Sequence, residues 1–212
     1  MKSASLNSIP LNALKRGSAA QPMSFGELKF LLRCDLYRYE GRQDLRALAR
    51  TFRGSPGFKY TFWMRVCRYL RGSPVRYPFF LFAKSMLEHC KYKFGIAIPF
   101  ETQIGEGLYI GHFGGIVINE LAVIGKNCNL SHDVTIGQTN RGARKGCPVI
   151  GDNVYIGPGA KVIGGVSLGN HAAVGANCVV TRDVPDNGVV AGAPGRVISR
   201  QGSADYVNRT LT

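Results

Sequence analysis

From residue 104 onward an aliphatic residue recurs at every sixth position, most often followed by glycine. The series opens with Ile104-Gly105, Ile110-Gly111 and Ile116, and resumes after a two-residue shift at Ile118, Ile124-Gly125, Leu130 and Ile136-Gly137. After a longer interruption it runs through Ile150-Gly151, Ile156-Gly157, Val162, Leu168-Gly169, Val174-Gly175 and Val180. A small or branched residue stands two places earlier at Val154, Ala160, Val166, Ala172 and Cys178. A period of six is neither the 3.6 of an amphipathic helix nor the 2 of a hairpin ladder. It fits one short strand and a corner, with the aliphatic side chain pointing inward and glycine easing the turn. Three such faces make a coil of about 18 residues, and coils stack at the roughly 4.8 Å spacing of paired strands. The predicted fold is mainly β, a parallel β-helix of hexapeptide repeats over residues 95–200.

Upstream, residues 24–94 carry helical spacing. Ser24 and Glu27 form a candidate capping box, and Leu28, Leu31, Leu32, Leu36 and Tyr39 follow on one face. Further helices are expected over Phe58–Leu70 and Tyr77–Phe94, separated by Gly72, Ser73 and Pro74. Residues 1–23 read as a flexible tail, with an organelle transit peptide as the alternative, and residues 201–212 as a C-terminal tail. The longest apolar stretch, from Tyr77 to Leu87, carries Lys84 and falls short of the roughly 18 residues that a membrane span needs.

Charge divides the chain at the same place as the pattern. Residues 1–100 hold 18 Lys/Arg against 5 Asp/Glu, whereas residues 101–212 hold 9 against 8. Chemistry is therefore expected in the neutral repeat, while the basic helices either meet something anionic or simply keep the protein in solution. Aromatic and basic residues interleave between Gly57 and Lys93, among them Trp63, Arg65, Tyr69, Phe79 and Phe82; most of the aromatics read as packing between helices, and the excess of basic charge adds peripheral association with anionic lipid as a hypothesis. No nucleic-acid-binding motif accompanies the charge. The six cysteines are scattered without a C-x-x-C pair, which fits reduced thiols in the cytoplasm and signals neither zinc nor a disulfide framework.

Register singles out two of the four histidines. His112 lies two residues after Ile110 and His132 two after Leu130, so both occupy the same place on the same face, one coil apart. Their separation is expected to be about 5–7 Å. An accessible neutral imidazole beside a cleft is what a general base requires. Asp133, next to His132, and Glu120, in the turn after His112, are the candidate carboxylates for fixing an imidazole tautomer. His89 and His171 read as structural or surface residues. The loop over residues 138–147 projects Arg141, Arg144 and Lys145, which either meet phosphates or are simply solvated. Cys147 lacks a predicted histidine partner and is a poor candidate nucleophile.

Several motifs then become legible together. They are Gly107-Leu108-Tyr109-Ile110-Gly111-His112, Gly115-Ile116-Val117-Ile118-Asn119-Glu120, Pro148-Val149-Ile150-Gly151-Asp152-Asn153-Val154 and Gly192-Ala193-Pro194. Over about residues 95–200 the chain resembles the serine acetyltransferase branch of the hexapeptide acyltransferases. The resemblance implies a left-handed β-helix, a homotrimer with active sites between neighbouring copies, and acetyl-CoA as co-substrate with no metal. It also implies that His112 is the catalytic base. Thr139, Ala160 and Ala176 match positions lining the CoA channel, and Arg196 falls where the adenine end passes.

Departures from that family pattern bear on the acceptor. An Arg-His pair expected before Pro148 is replaced by Gly146 and Cys147, and the aspartate before the catalytic histidine by Gly111. The supporting aspartate falls at about Ala97, and no acid occurs between Asp44 and Glu88. Each lost charged hydrogen bond is worth about 1.5–3 kcal/mol. On that ground the expected acceptor is a hydroxyl of a sugar or lipid-linked sugar in exopolysaccharide assembly, as in the similar capsular O-acetyltransferases. Serine O-acetylation for cysteine biosynthesis is the alternative. A zinc carbonic anhydrase of the same fold and a non-catalytic scaffold are the readings of other classes.

Overall fold

The computed structural model describes residues 23–71 and 73–211. All but Met23 of the expected N-terminal tail, and with it the transit-peptide alternative, lies outside the described residues. Four helices come first: α1 (Phe25–Glu40), α2 (Leu45–Gly54), α3 (Pro56–Leu70) and α4 (Tyr77–Phe94). The capping box at α1 forms as the sequence predicts. The Glu27 amide donates to Ser24 Oγ at 3.1 Å and the Ser24 amide to Glu27 Oε2 at 2.6 Å. At the far ends of α1 and α4 the chain leaves through Gly41 and Gly95 in the left-handed region. Among the described residues no helix is long and apolar enough to cross a membrane.

From Ile96 the chain winds into a left-handed parallel β-helix. Successive short strands fall in turn on three sheets, so every third strand pairs with the one before it. The first face stacks Ile118, Ile136, Val162 and Val180; the second stacks Ile104, Ile124, Ile150 and Leu168. On the third face Ile110, Leu130, Ile156, Val174 and Val190 form one column. Apart from Val190, which lies beyond the repeat, these columns are the hexad positions read from the sequence, and all are buried. Burial of each such side chain contributes about 1.5–3 kcal/mol, and the columns make the core one continuous apolar stack.

A stack of coils has an open end, where the first strand of each sheet presents unpaired backbone groups. Side chains from the helices close it. The Tyr60 hydroxyl donates to the Ile98 carbonyl at 2.8 Å and accepts from the Ile98 amide at 2.9 Å. Arg65 donates to the carbonyls of Ile104 at 2.7 Å and Gly105 at 2.6 Å. Asp35 accepts from the Leu108 amide at 2.9 Å. The Tyr39 hydroxyl accepts from the Ile110 amide at 3.0 Å and donates to its carbonyl at 3.2 Å. The aromatic residues here are thus divided in role: Phe58 and Tyr60 are buried, whereas Tyr77, Phe79 and Phe82 on α4 are exposed.

Residues 201–211 are not a free tail. After the antiparallel strand Arg196–Ser199, the chain folds back along the third face, where Tyr206 stacks on Tyr155 with ring centroids 4.3 Å apart. Ser203 is buried, and Asn129 donates to the Tyr206 carbonyl at 2.7 Å. Arg38 of α1 bonds both Asn129 and the Asn208 carbonyl, tying this segment to the helices.

Candidate active site

The corner between the third and first faces carries the histidines. Strand register sets Tyr109 beside Asn129 and Ile110 beside Leu130. The next two residues of each strand turn outward and bring the imidazoles together. Their ring centroids are 5.9 Å apart at an interplanar angle of 85°, and both residues are exposed. That spacing lies in the range expected from the register. Ala176 occupies the same place two coils further on, and it is exposed too. Phe113, beside His112, packs edge-on against Phe94 of α4 at 5.8 Å.

Neither carboxylate behaves as the sequence led us to expect. Asp133 sits in the left-handed region, φ 56°, and its amide donates to the Gly114 carbonyl at 2.7 Å. Its Oδ1 lies over Gly115, where a Cβ would stand only 1.8 Å away, so it packs against the preceding coil. Among the described residues it makes no hydrogen bond to either imidazole. Glu120 lies on a different corner, between the first and second faces, because a whole strand separates it from His112. It stands instead near Cys147, whose thiol is pushed up by burial and then by the Glu120 charge. Cys147 donates to Asn119 Oδ1 at 3.3 Å. A raised thiol is a poor nucleophile near neutrality.

The loop over residues 138–147 leaves from that same corner as a closed hairpin. Thr139 and Gly146 exchange two backbone bonds of 3.0 Å each. Arg144 meets Asp183 at 2.7 Å, and its carbonyl accepts from the Gly165 amide at 2.8 Å, which lays the loop on the next coil. Burial would raise the Asp183 carboxyl, but the bonds from Arg144 and the Ser167 amide outweigh it and hold it below its usual range. Arg141 and Lys145 remain exposed.

The four residues matched to CoA positions are dispersed within one chain. Thr139 belongs to the hairpin, Ala176 to the histidine corner, and Arg196, exposed, to the antiparallel strand. Ala160 is fully buried, its side chain facing the core, so it offers no surface to a ligand in this chain. His89, on α4, and His171, on the corner between the second and third faces, stand away from the pair's corner. Sequence reasoning passed over the capping residues Asp35, Tyr39, Tyr60 and Arg65. Both α1 and α3 carry several charged residues, so nothing local marks Asp35 or Arg65 as the buried ones.

Comparison with known proteins agrees with this architecture. The pattern described as bacterial transferase hexapeptide (six repeats) matches residues 147–182. The serine acetyltransferase of Helicobacter pylori strain J99 is 35% identical over 122 residues, covering 58% of this chain and 71% of that protein. The chain belongs to the serine acetyltransferase family of hexapeptide transferases. The Synechococcus elongatus serine acetyltransferase is 42% identical over 108 residues, 51% of this chain and 44% of the relative. The chain thus spans about half the length of most of the curated relatives it matches. In three dimensions, the Brucella abortus serine acetyltransferase in complex with coenzyme A superposes with a TM-score of 0.70 at 29% identity. That match covers 84% of this chain and 70% of the other. These relatives overturn the expected sugar acceptor and the polysaccharide pathway: they are serine acetyltransferases, which the sequence analysis held as the alternative.

Proposed function

We propose that this protein is an acetyl-CoA-dependent serine O-acetyltransferase with His112 as its general base. The observation that carries the reading is the exposed His112–His132 pair, 5.9 Å apart on one β-helix corner, in a chain of the serine acetyltransferase family. His112 takes the proton of the serine hydroxyl as the oxygen attacks the thioester carbonyl. The new C–O bond forms, the C–S bond breaks, and the leaving thiolate recovers the proton from the imidazolium. His132, edge-on to His112, limits where that ring can swing. The acetyl-CoA arm runs from this corner past Ala176 and toward Arg196, with Thr139 contributed by a neighbouring copy of a homotrimer. Incubation with acetyl-CoA and serine, following free CoA thiol, tests the activity. Thiol release at the serine-free rate overturns it.

Serine's carboxylate needs a cation, and Gly146 and Cys147 supply none where the family pattern has Arg-His. Lys161 is the candidate here: its ammonium donates to the Asp133 carbonyl, directly after His132. All six cysteines are free thiols, which supports a cytoplasmic location. Peripheral binding to anionic membrane is a separate proposal, favoured by exposed Phe79, Leu81 and Phe82 near Lys84 on α4. Sedimentation with anionic vesicles at low and high salt tests it independently of the acceptor.

A further inference from the structure

The strand Tyr109–Ile110 is an edge of the third sheet, so among the described residues its open side has no partner strand. Its Ile110 backbone is held instead by one hydroxyl, that of Tyr39, which satisfies both the amide and the carbonyl. Two residues later the chain reaches His112. His132, one coil further in, follows the strand Asn129–Leu130, which is paired on both sides. The two imidazoles thus sit on backbones of unequal support, and the outer one depends on α1.

Tyr39 is itself fixed from several directions. Its ring lies 4.6 Å from that of Tyr109 and 5.6 Å, edge-on, from Phe58. Arg209 of the C-terminal segment bonds its carbonyl. Burial pushes its hydroxyl well above the usual tyrosine range, so it keeps a proton to donate over any assay pH. Gly57, at the start of α3, closes the arrangement: a Cβ there would stand 2.3 Å from the Ile110 carbonyl oxygen and 3.0 Å from the Tyr39 hydroxyl. Only glycine lets α3 approach the strand this closely.

We propose that Tyr39 is a positioning residue for the acetyl transfer, fixing the first-coil corner that carries His112 by clamping the Ile110 backbone. This rests on His112 being the base of the proposed reaction. A misplacement of about 1 Å in a catalytic group can cost up to about a hundredfold in rate, whereas substrate bound elsewhere on the scaffold is held as before. Tyr60 provides the control, because its hydroxyl clamps Ile98 in the same two-bond way but lies away from the histidine corner.

The experiment compares Tyr39→Phe and Tyr60→Phe in the full chain by steady-state kinetics, thermal unfolding and NMR of the histidine side chains, with His112 assigned through His112→Ala. Both variants should lose stability to a similar degree. Tyr39→Phe alone should lower kcat about tenfold while KM for acetyl-CoA stays within about twofold, and should alone shift the His112 ring signals. Equal kcat losses in the two variants, or His112 signals unmoved by Tyr39→Phe, overturn the proposal. A wild-type chain that fails to acetylate serine sinks the functional reading instead, and the NMR comparison still decides whether Tyr39 sets the His112 corner. If Tyr39→Phe does not fold, Gly57→Ala, whose Cβ crowds the Ile110 carbonyl and the Tyr39 hydroxyl that clamps it, should give the same split between kcat and KM and the same shift of the His112 signals; unmoved His112 signals there overturn the proposal.

Discussion

Asp35 and Arg65 meet with carboxylate and guanidinium 3.1 Å apart while their side chains are 0% and 1% exposed, and each also holds a different strand edge of the first coil. Every charged atom of the pair that turns toward the β-helix finds a backbone partner. Such a pair is expensive to bury but more expensive to break, since removing one partner leaves an uncompensated charge. Asp35→Asn is therefore expected to destabilise the fold by about 3–5 kcal/mol, measured by urea unfolding. A joint replacement of Asp35 and Arg65 by leucine and methionine should recover part of that loss. A loss below about 1 kcal/mol for the single variant would mean that the cap does not depend on the pair.

How far the sequence reveals this molecule depends on the range of the interaction. The columns Ile104–Leu168 and Ile110–Val174 are legible because a six-residue repeat must return an aliphatic side chain to the same wall in every coil. The His112–His132 contact follows from the same arithmetic. The cap does not, because it joins residues 30 and 71 positions apart through helices whose packing no local pattern encodes. Glu120 was misplaced for a related reason. Eight residues are close along the chain, yet in a triangular coil they exceed one whole face. The sugar acceptor fails because departures at Gly111, Gly146, Cys147 and Ala97 and the lack of an acid between Asp44 and Glu88 count for less than a match to serine acetyltransferases running through the repeat.

If His112 is the general base, as proposed, its replacement by alanine should lower kcat by about 10²-fold or more with acetyl-CoA affinity retained, because the base is lost while the groove is not. Isothermal titration with CoA separates the two effects. On the same reading His132→Ala should cost less, since His132 stands edge-on to the His112 ring, 5.9 Å between centroids, and is assigned no proton transfer. Near-normal turnover in His112→Ala would remove it from the reaction.

Lys161 makes a different prediction, on binding. If its ammonium meets the serine carboxylate, Lys161→Met should raise KM for serine about tenfold and leave KM for acetyl-CoA unchanged, at constant pH. Serine methyl ester, which lacks the negative charge, should discriminate poorly between the wild type and the variant. A uniform rise in both KM values would instead mean that Lys161 supports the corner structurally through its bond to the Asp133 carbonyl.

The thiols give a test that needs no substrate. Burial pushes Cys34 up to about 11, and Cys67 and Cys128 up to about 12, each with smaller contributions from nearby charges. Cys90 and Cys178 are raised by burial as well, and Cys147 by burial and Glu120. A raised pKa reduces the thiolate fraction at neutral pH, and thiolate is the form that alkylates. Five of the six are also buried, whereas Cys147 is only half-covered. Iodoacetamide at pH 7.5 should therefore modify the native protein slowly and at Cys147 first, with all six reacting in urea; peptide mass mapping identifies the site. Glu120→Gln should speed the Cys147 reaction by removing the neighbouring negative charge, and raising the pH should speed it in both forms. Rapid modification of Cys147 at pH 7.5, faster than a free cysteine, would show a lowered thiol and reopen its case as a nucleophile.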